Sequence, residues 1–152
     1  MKAIALNGSP NKNGRTVECL RQVGLPIIHL ADGIAIARAE VLSADLVLFA
    51  TPVRWFNISA LMKELIEALP EADSYECEGK VAFLMAVCED DGGQQALNQM
   101  MGPLSHMGFS FPPYAAANYI NTKMMQQSEQ RWQCDVTRYL KEQIMQLKQT
   151  TR

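Results

Sequence analysis

What this 152-residue chain lacks narrows its function before any motif is read. No apolar run reaches the ~18 residues of a membrane-spanning helix. The N-terminus enters an apolar strand with no basic-then-apolar leader before it, so neither export nor a membrane is expected and the cytoplasm is the default location. Lys and Arg form no cluster and the formal net charge is -2. A nucleic-acid surface, which must neutralise phosphates, is therefore not expected. The four cysteines (Cys19, Cys77, Cys88, Cys134) include no Cys-x-x-Cys pair, and only His29 and His106 could join them. Zinc and iron–sulfur sites need closely spaced ligands, so no metal is expected and the thiols read as buried groups in a reducing compartment. No Ser-His-Asp or Cys-His constellation stands out, and both histidines read as structural.

What is present is the composition of an ordinary globule, with 48% hydrophobic and 20% charged residues, long enough for one domain over residues 1–152. Strand and helix signals alternate. Ala3-Ile4-Ala5-Leu6 is an apolar strand, Arg15 to about Val23 a helix ended by Gly24, and Pro26 to Leu30 a second strand. A turn at Asp32-Gly33 leads to a brief helix from Ile34 to Leu42. Asp45 to Ala50 is a continuous apolar run of the kind that a parallel strand covered on both faces requires. Ile58 to Leu69 carries a helical stripe (Ile58, Leu61, Met62, Leu65, Ile66), and Lys80 to Val87 is a fourth strand. Gln94 to His106 reads as a helix that Gly102-Pro103 must kink or interrupt. Tyr114 to Ile120 is a fifth strand, and about Met125 to Leu147 a last helix facing the sheet through Trp132, Val136, Leu140, Ile144 and Leu147. Strands separated by helices imply an α/β, doubly wound parallel sheet with right-handed crossovers.

Between the first strand and first helix lies Asn7-Gly8-Ser9-Pro10-Asn11-Lys12-Asn13-Gly14-Arg15-Thr16. A strand, a loop of Gly, Ser and Asn, and a helix start converge N–H groups where the helix dipole is positive, which suits an anion. A nucleotide-triphosphate loop needs four residues between its glycines and then Lys; here five separate Gly8 from Gly14, and Arg15 follows. A dinucleotide loop needs Gly-x-Gly-x-x-Gly, which is absent. A single phosphate monoester fits better. Ser9 and Thr16 offer hydroxyls, Asn11 and Asn13 amides, and Arg15 a charged fork. The bland alternative, a plain strand-to-helix turn, fits the same residue types.

The stretch Gly8 to Thr16, followed by Thr51-Pro52-Val53-Arg54-Trp55 and Ser59-Ala60-Leu61-Met62-Lys63, resembles the NAD(P)H-dependent FMN reductase family of flavodoxin-like proteins. The resemblance spans Lys2 to about Ile120. It implies a three-layer αβα sandwich with a five-stranded parallel sheet in order 2-1-3-4-5, and FMN held where strands one and three end. Its phosphate would sit on Ser9, Asn11, Asn13, Gly14, Arg15 and Thr16. Its ring would lie along Pro52, Val53, Arg54, Trp55 and Phe56, with Gly92 in the loop after strand four. Trp55 and Phe56 could instead pack under the third helix as core. The implied chemistry passes a hydride from NAD(P)H to FMN and on to a small-molecule acceptor such as a quinone or flavin, with no catalytic side chain. A homodimer is implied by the same likeness alone.

Three departures from the family pattern matter. Arg54 stands where Tyr is usual and would favour a negatively charged reduced flavin. Arg15 replaces a more usual Asn and should strengthen phosphate binding. Cys88-Glu89-Asp90-Asp91-Gly92-Gly93 places three acids near the flavin, unless they cap the following helix. The segment from Leu25 to Ala44 is also short for the family, which weakens the NAD(P)H half of the expectation. An electron carrier reduced by a protein partner and a cofactor-free interaction domain remain open as alternatives.

Overall fold

The computed structural model describes residues 1–70, 75–120 and 127–150, with side chains in the last helix described at 138 and from 140 onward. Five parallel strands, β1 (Ala3–Asn7), β2 (Ile27–His29), β3 (Leu46–Pro52), β4 (Val81–Cys88) and β5 (Ala116–Ile120), lie in the order β2-β1-β3-β4-β5. The intervening helices are α1 (Arg15–Val23), α2 (Ile34–Ser43), α3 (Ala60–Ala68), α4 (Gly93–His106) and α5 (Gln127–Thr150). This is the flavodoxin-like order the resemblance implied.

Side-chain alternation explains how one sheet serves two cores. Ile4, Leu6, Val47, Phe49, Leu84 and Ala86 face α2, α3 and α4, whereas Ala3, Ala5, Leu46, Leu48, Phe83 and Met85 face α1 and α5. Continuous apolar strands follow because both faces are covered. Among the described residues, no helix is long and apolar enough to cross a membrane.

The elements differ from expectation mainly at their ends. β2 is shorter than expected, because Leu30–Asp32 closes into a 3₁₀ turn. β3 runs two residues further, taking in Thr51 and Pro52. Proline is accommodated there because the next donor, Val53 N, bonds Val87 O at 2.8 Å. Helix α4 passes through Gly102-Pro103 without interruption, and Met107 N picks up Pro103 O at 3.0 Å. Tyr114 lies outside β5, with φ of 61°. In α5, Leu140 and Ile144 are buried on the sheet as expected; Met125 and the Trp132 and Val136 side chains lie outside the described residues.

Helix α3 begins at its cap rather than at Ile58. Ser59 Oγ accepts from Met62 N at 3.1 Å and donates to Gly8 O at 2.7 Å, while Ser59 N donates to Thr51 Oγ1 at 2.9 Å. One buried serine thus caps a helix and, through its hydroxyl and its own N–H, ties the β1 loop and the end of β3 to that cap. Ser59→Ala removes the cap and leaves the Gly8 carbonyl unpaired, and a loss of about 1–3 kcal/mol is expected in chemical denaturation. An unchanged midpoint would contradict that bridge.

Candidate functional site

The loop after β1 is built by successive side-chain-to-backbone turns. Asn7 is wholly buried, and its Oδ1 accepts from Ser9 N at 3.0 Å. Ser9 Oγ accepts from Asn11 N at 3.1 Å, and Asn11 Oδ1 accepts from Asn13 N at 2.9 Å. Each short polar residue folds the chain two residues ahead. The Asn7 amide nitrogen can only donate, so His29 Nδ1, 3.0 Å away, accepts and the neutral ring carries its proton on Nε2. His29 is thereby a support for the loop. Gly8 is required by close approach, since a Cβ there would lie 2.9 Å from Ala50 O.

Ser9 and Asn11, so held, line a cleft of about 260 Å³ at the start of α1. Ser9, Asn11, Gly14, Arg15 and Thr16 line one side, and Pro52, Val53, Arg54, Val87, Cys88 and Glu89 the other. Arg15 and Thr16, which open α1 and whose N–H groups a helix cannot bond internally, are among its lining residues. Two loops about forty residues apart in sequence meet because β1 and β3 are paired, Asn7 beside Ala50. Asn13 lies outside the lining; its backbone serves Asn11 instead.

A second cleft of about 450 Å³ adjoins the first through Val53, Cys88 and Glu89, and adds Trp55, Phe56, Asp90 and Asp91. Trp55 and Phe56 are not core: they are 92% and 48% exposed. They form the two central residues of a tight antiparallel turn, closed by Arg54 N to Asn57 O at 2.8 Å and Asn57 N to Arg54 O at 2.9 Å. Both have positive φ, 48° and 65°. That conformation normally selects Asn-Gly. An aromatic pair held in it is strained, and strain of this kind concentrates at functional sites.

Gly92 lines neither cleft. It packs beneath the aromatic turn, where a Cβ would come within 2.8 Å of Phe56 Cα, and its φ is 87°. Its role is therefore to let the two loops approach.

The acidic run does not cap α4. The N-cap is Gly92 and makes no side-chain bond; Asp91 Oδ1 accepts only from the adjacent Gly92 N, at 2.7 Å. Glu89 instead reaches across the first cleft and pairs with the Arg15 guanidinium, which raises the Arg15 pKa. Arg54, also exposed, lies on the opposite wall. Cys88 lines both clefts, and burial above all, with the Asp91 and Asp90 charges, pushes its thiol up. It is a neutral thiol at pH 7, unsuited to nucleophilic attack. Among the described residues no group of His, Cys, Asp and Glu is arranged to hold a metal ion.

The sequence model of the NADPH-dependent FMN reductase family matches residues 28–121, well over half of the chain. The chain belongs to that family. The matched span of this FMN reductase family member contains the 51–57 turn and the acidic run, whereas the 8–16 loop precedes it. No curated protein matches the chain at a significant level.

Similar solved structures agree on the fold. RosB with bound 8-demethyl-8-formylriboflavin-5′-phosphate superposes with a TM-score of 0.75 at 15% identity, over 93% of this chain and 76% of that one. Apo NADH:FMN oxidoreductase (EMOB) gives 0.67 at 17%, over 93% and 88%. A flavodoxin, WrbA-like protein from Agrobacterium tumefaciens gives 0.72 at 13%, over 99% and 98%.

Gln99 had no visible signal in the sequence: it reads as one of several polar residues on α4, yet it holds the aromatic turn that lines the second cleft.

Proposed function

We propose that this FMN reductase family member binds FMN across the two adjoining clefts and uses it to pass electrons from NAD(P)H to a small-molecule acceptor. One observation carries the reading: a pocket rich in anion donors opens directly into one walled by an aromatic pair, the shape of a phosphate tethered to a planar ring. Bound FMN would supply the redox chemistry, accepting a hydride and giving up electrons. The chain's residues orient and bias it. Ser9, Asn11, Thr16 and the opening N–H groups of α1 fit a phosphate. Pro52, Val53 and Cys88 give an apolar wall for the ring. Arg54, which lines the first cleft, would favour a negatively charged reduced flavin, while Asp90 and Asp91, which line the second, would oppose it.

The competing reading, an interaction domain without cofactor, is favoured by the Arg15–Glu89 pair, which already places a carboxylate on the charged fork. A visible-absorbance titration with FMN separates the two. Perturbed flavin bands with an endpoint near one FMN per chain are expected; no change at micromolar protein favours the interaction domain. Ser9→Ala combined with Thr16→Ala is expected to weaken FMN about tenfold or more, with riboflavin little affected, since two charge-assisted donors are lost. Equal losses for both ligands would remove the phosphate from this loop.

A further inference from the structure

Helix α4 reaches the aromatic turn through one side chain. Gln99 Nε2 donates to Phe56 O at 3.3 Å and to Asn57 Oδ1 at 3.0 Å, and Gln99 Oε1 accepts from Ile58 N at 3.2 Å. Asn57 Nδ2 closes the set on Trp55 O at 2.8 Å. Side-chain amides therefore take up both carbonyls of the turn and the first N–H beyond it. Left-handed backbone at a bulky residue is unfavourable, so two in succession persist only where the surroundings over-determine them. Nothing in Trp55-Phe56 itself favours this turn.

We infer that Gln99 is a positioning residue that holds the Trp55-Phe56 turn in its left-handed form and so sets the ring side of the flavin site. The inference rests on the FMN reading for its ligand, though not for its geometry. The turn opposes Asp90 and Asp91 across the second cleft, and Trp55 has almost no packing of its own to keep it there. The amide of Gln99 supplies that constraint from a rigid helix. A hydrocarbon of similar size cannot.

The test has one arm without flavin and one with it. With 5-fluorotryptophan incorporated, Trp55 is assigned in the ¹⁹F spectrum by its loss in Trp55→Phe. A single Trp55 resonance is expected in the parent protein, and a broadened or doubled one in Gln99→Leu. Adding Phe56→Gly, which suits a left-handed position, should restore one resonance. In flavin titrations Gln99→Leu should weaken FMN and riboflavin by the same factor, about tenfold for two or three lost hydrogen bonds, unlike the phosphate-selective loop variants. An unchanged Trp55 resonance in Gln99→Leu would overturn the inference, as would loss of FMN affinity alone. If the parent protein binds no flavin, the functional reading fails while the fluorine spectrum still decides the role of Gln99.

Discussion

Phe49→Ala is expected to lower folding stability by about 3–5 kcal/mol, measured by the midpoint of urea denaturation. Phe49 is wholly buried in β3, beside Leu6 on one neighbouring strand and Leu84 on the other. Its ring meets Phe109 edge to face, with centroids 5.6 Å apart and planes at 86°. Truncation loses the ring's burial, the aromatic contact and the filling of a space that strands on both sides prevent from collapsing. Domains of this size are stable by about 5–15 kcal/mol, so the variant stands near the edge of unfolding. A loss below about 1 kcal/mol would mean that the layer joining β3 to Phe109 does not exist.

Gly92→Ala should damage both stability and the clefts. A left-handed backbone at a residue with a side chain is unfavourable by about 1–2 kcal/mol. The new Cβ would also meet Phe56 Cα at 2.8 Å, Phe56 Cδ1 at 3.1 Å and Val53 Cγ1 at 3.1 Å. Overpacking of this kind adds about 1–3 kcal/mol, and the atom that must give way is backbone. The aromatic turn is therefore displaced together with the loss of stability, and FMN and riboflavin should both bind more weakly. Gly92→Asn separates the causes, because asparagine tolerates left-handed backbone and retains the clash. Should Gly92→Asn bind flavin normally, the close approach to Phe56 is not what the glycine serves.

Much of this architecture was legible in the residues. The alternation of apolar strands with amphipathic helices depends on local periodicity, so the element order and doubly wound class could be read directly, with errors confined to the ends. The shape of the loop after β1 was legible for a related reason: Asn, Ser and Gly are the residues that fold a chain back on itself within two positions, as Asn7, Ser9 and Asn11 do. Pro52 was misplaced in a loop because proline is penalised in strands, yet its position at the end of β3 demands no donor from it. The acids after β4 were legible as charges, but whether they cap α4 was not, because the partner of Glu89 is 74 residues away.

The sequence by itself determined which segments become strands and helices, and which loop folds through Asn and Ser side-chain turns, since those outcomes depend on neighbours within a turn or two. Tertiary structure alone decided the rest. It paired β1 with β3 so that two distant loops share a cleft, brought Glu89 onto Arg15, and used Gln99 and Gly92 to hold an aromatic turn that its own residues disfavour. The reason is that these contacts join groups far apart in the chain, from Gly92 and Phe56 to Arg15 and Glu89, where only the packing of the sheet and its helices fixes distance and direction.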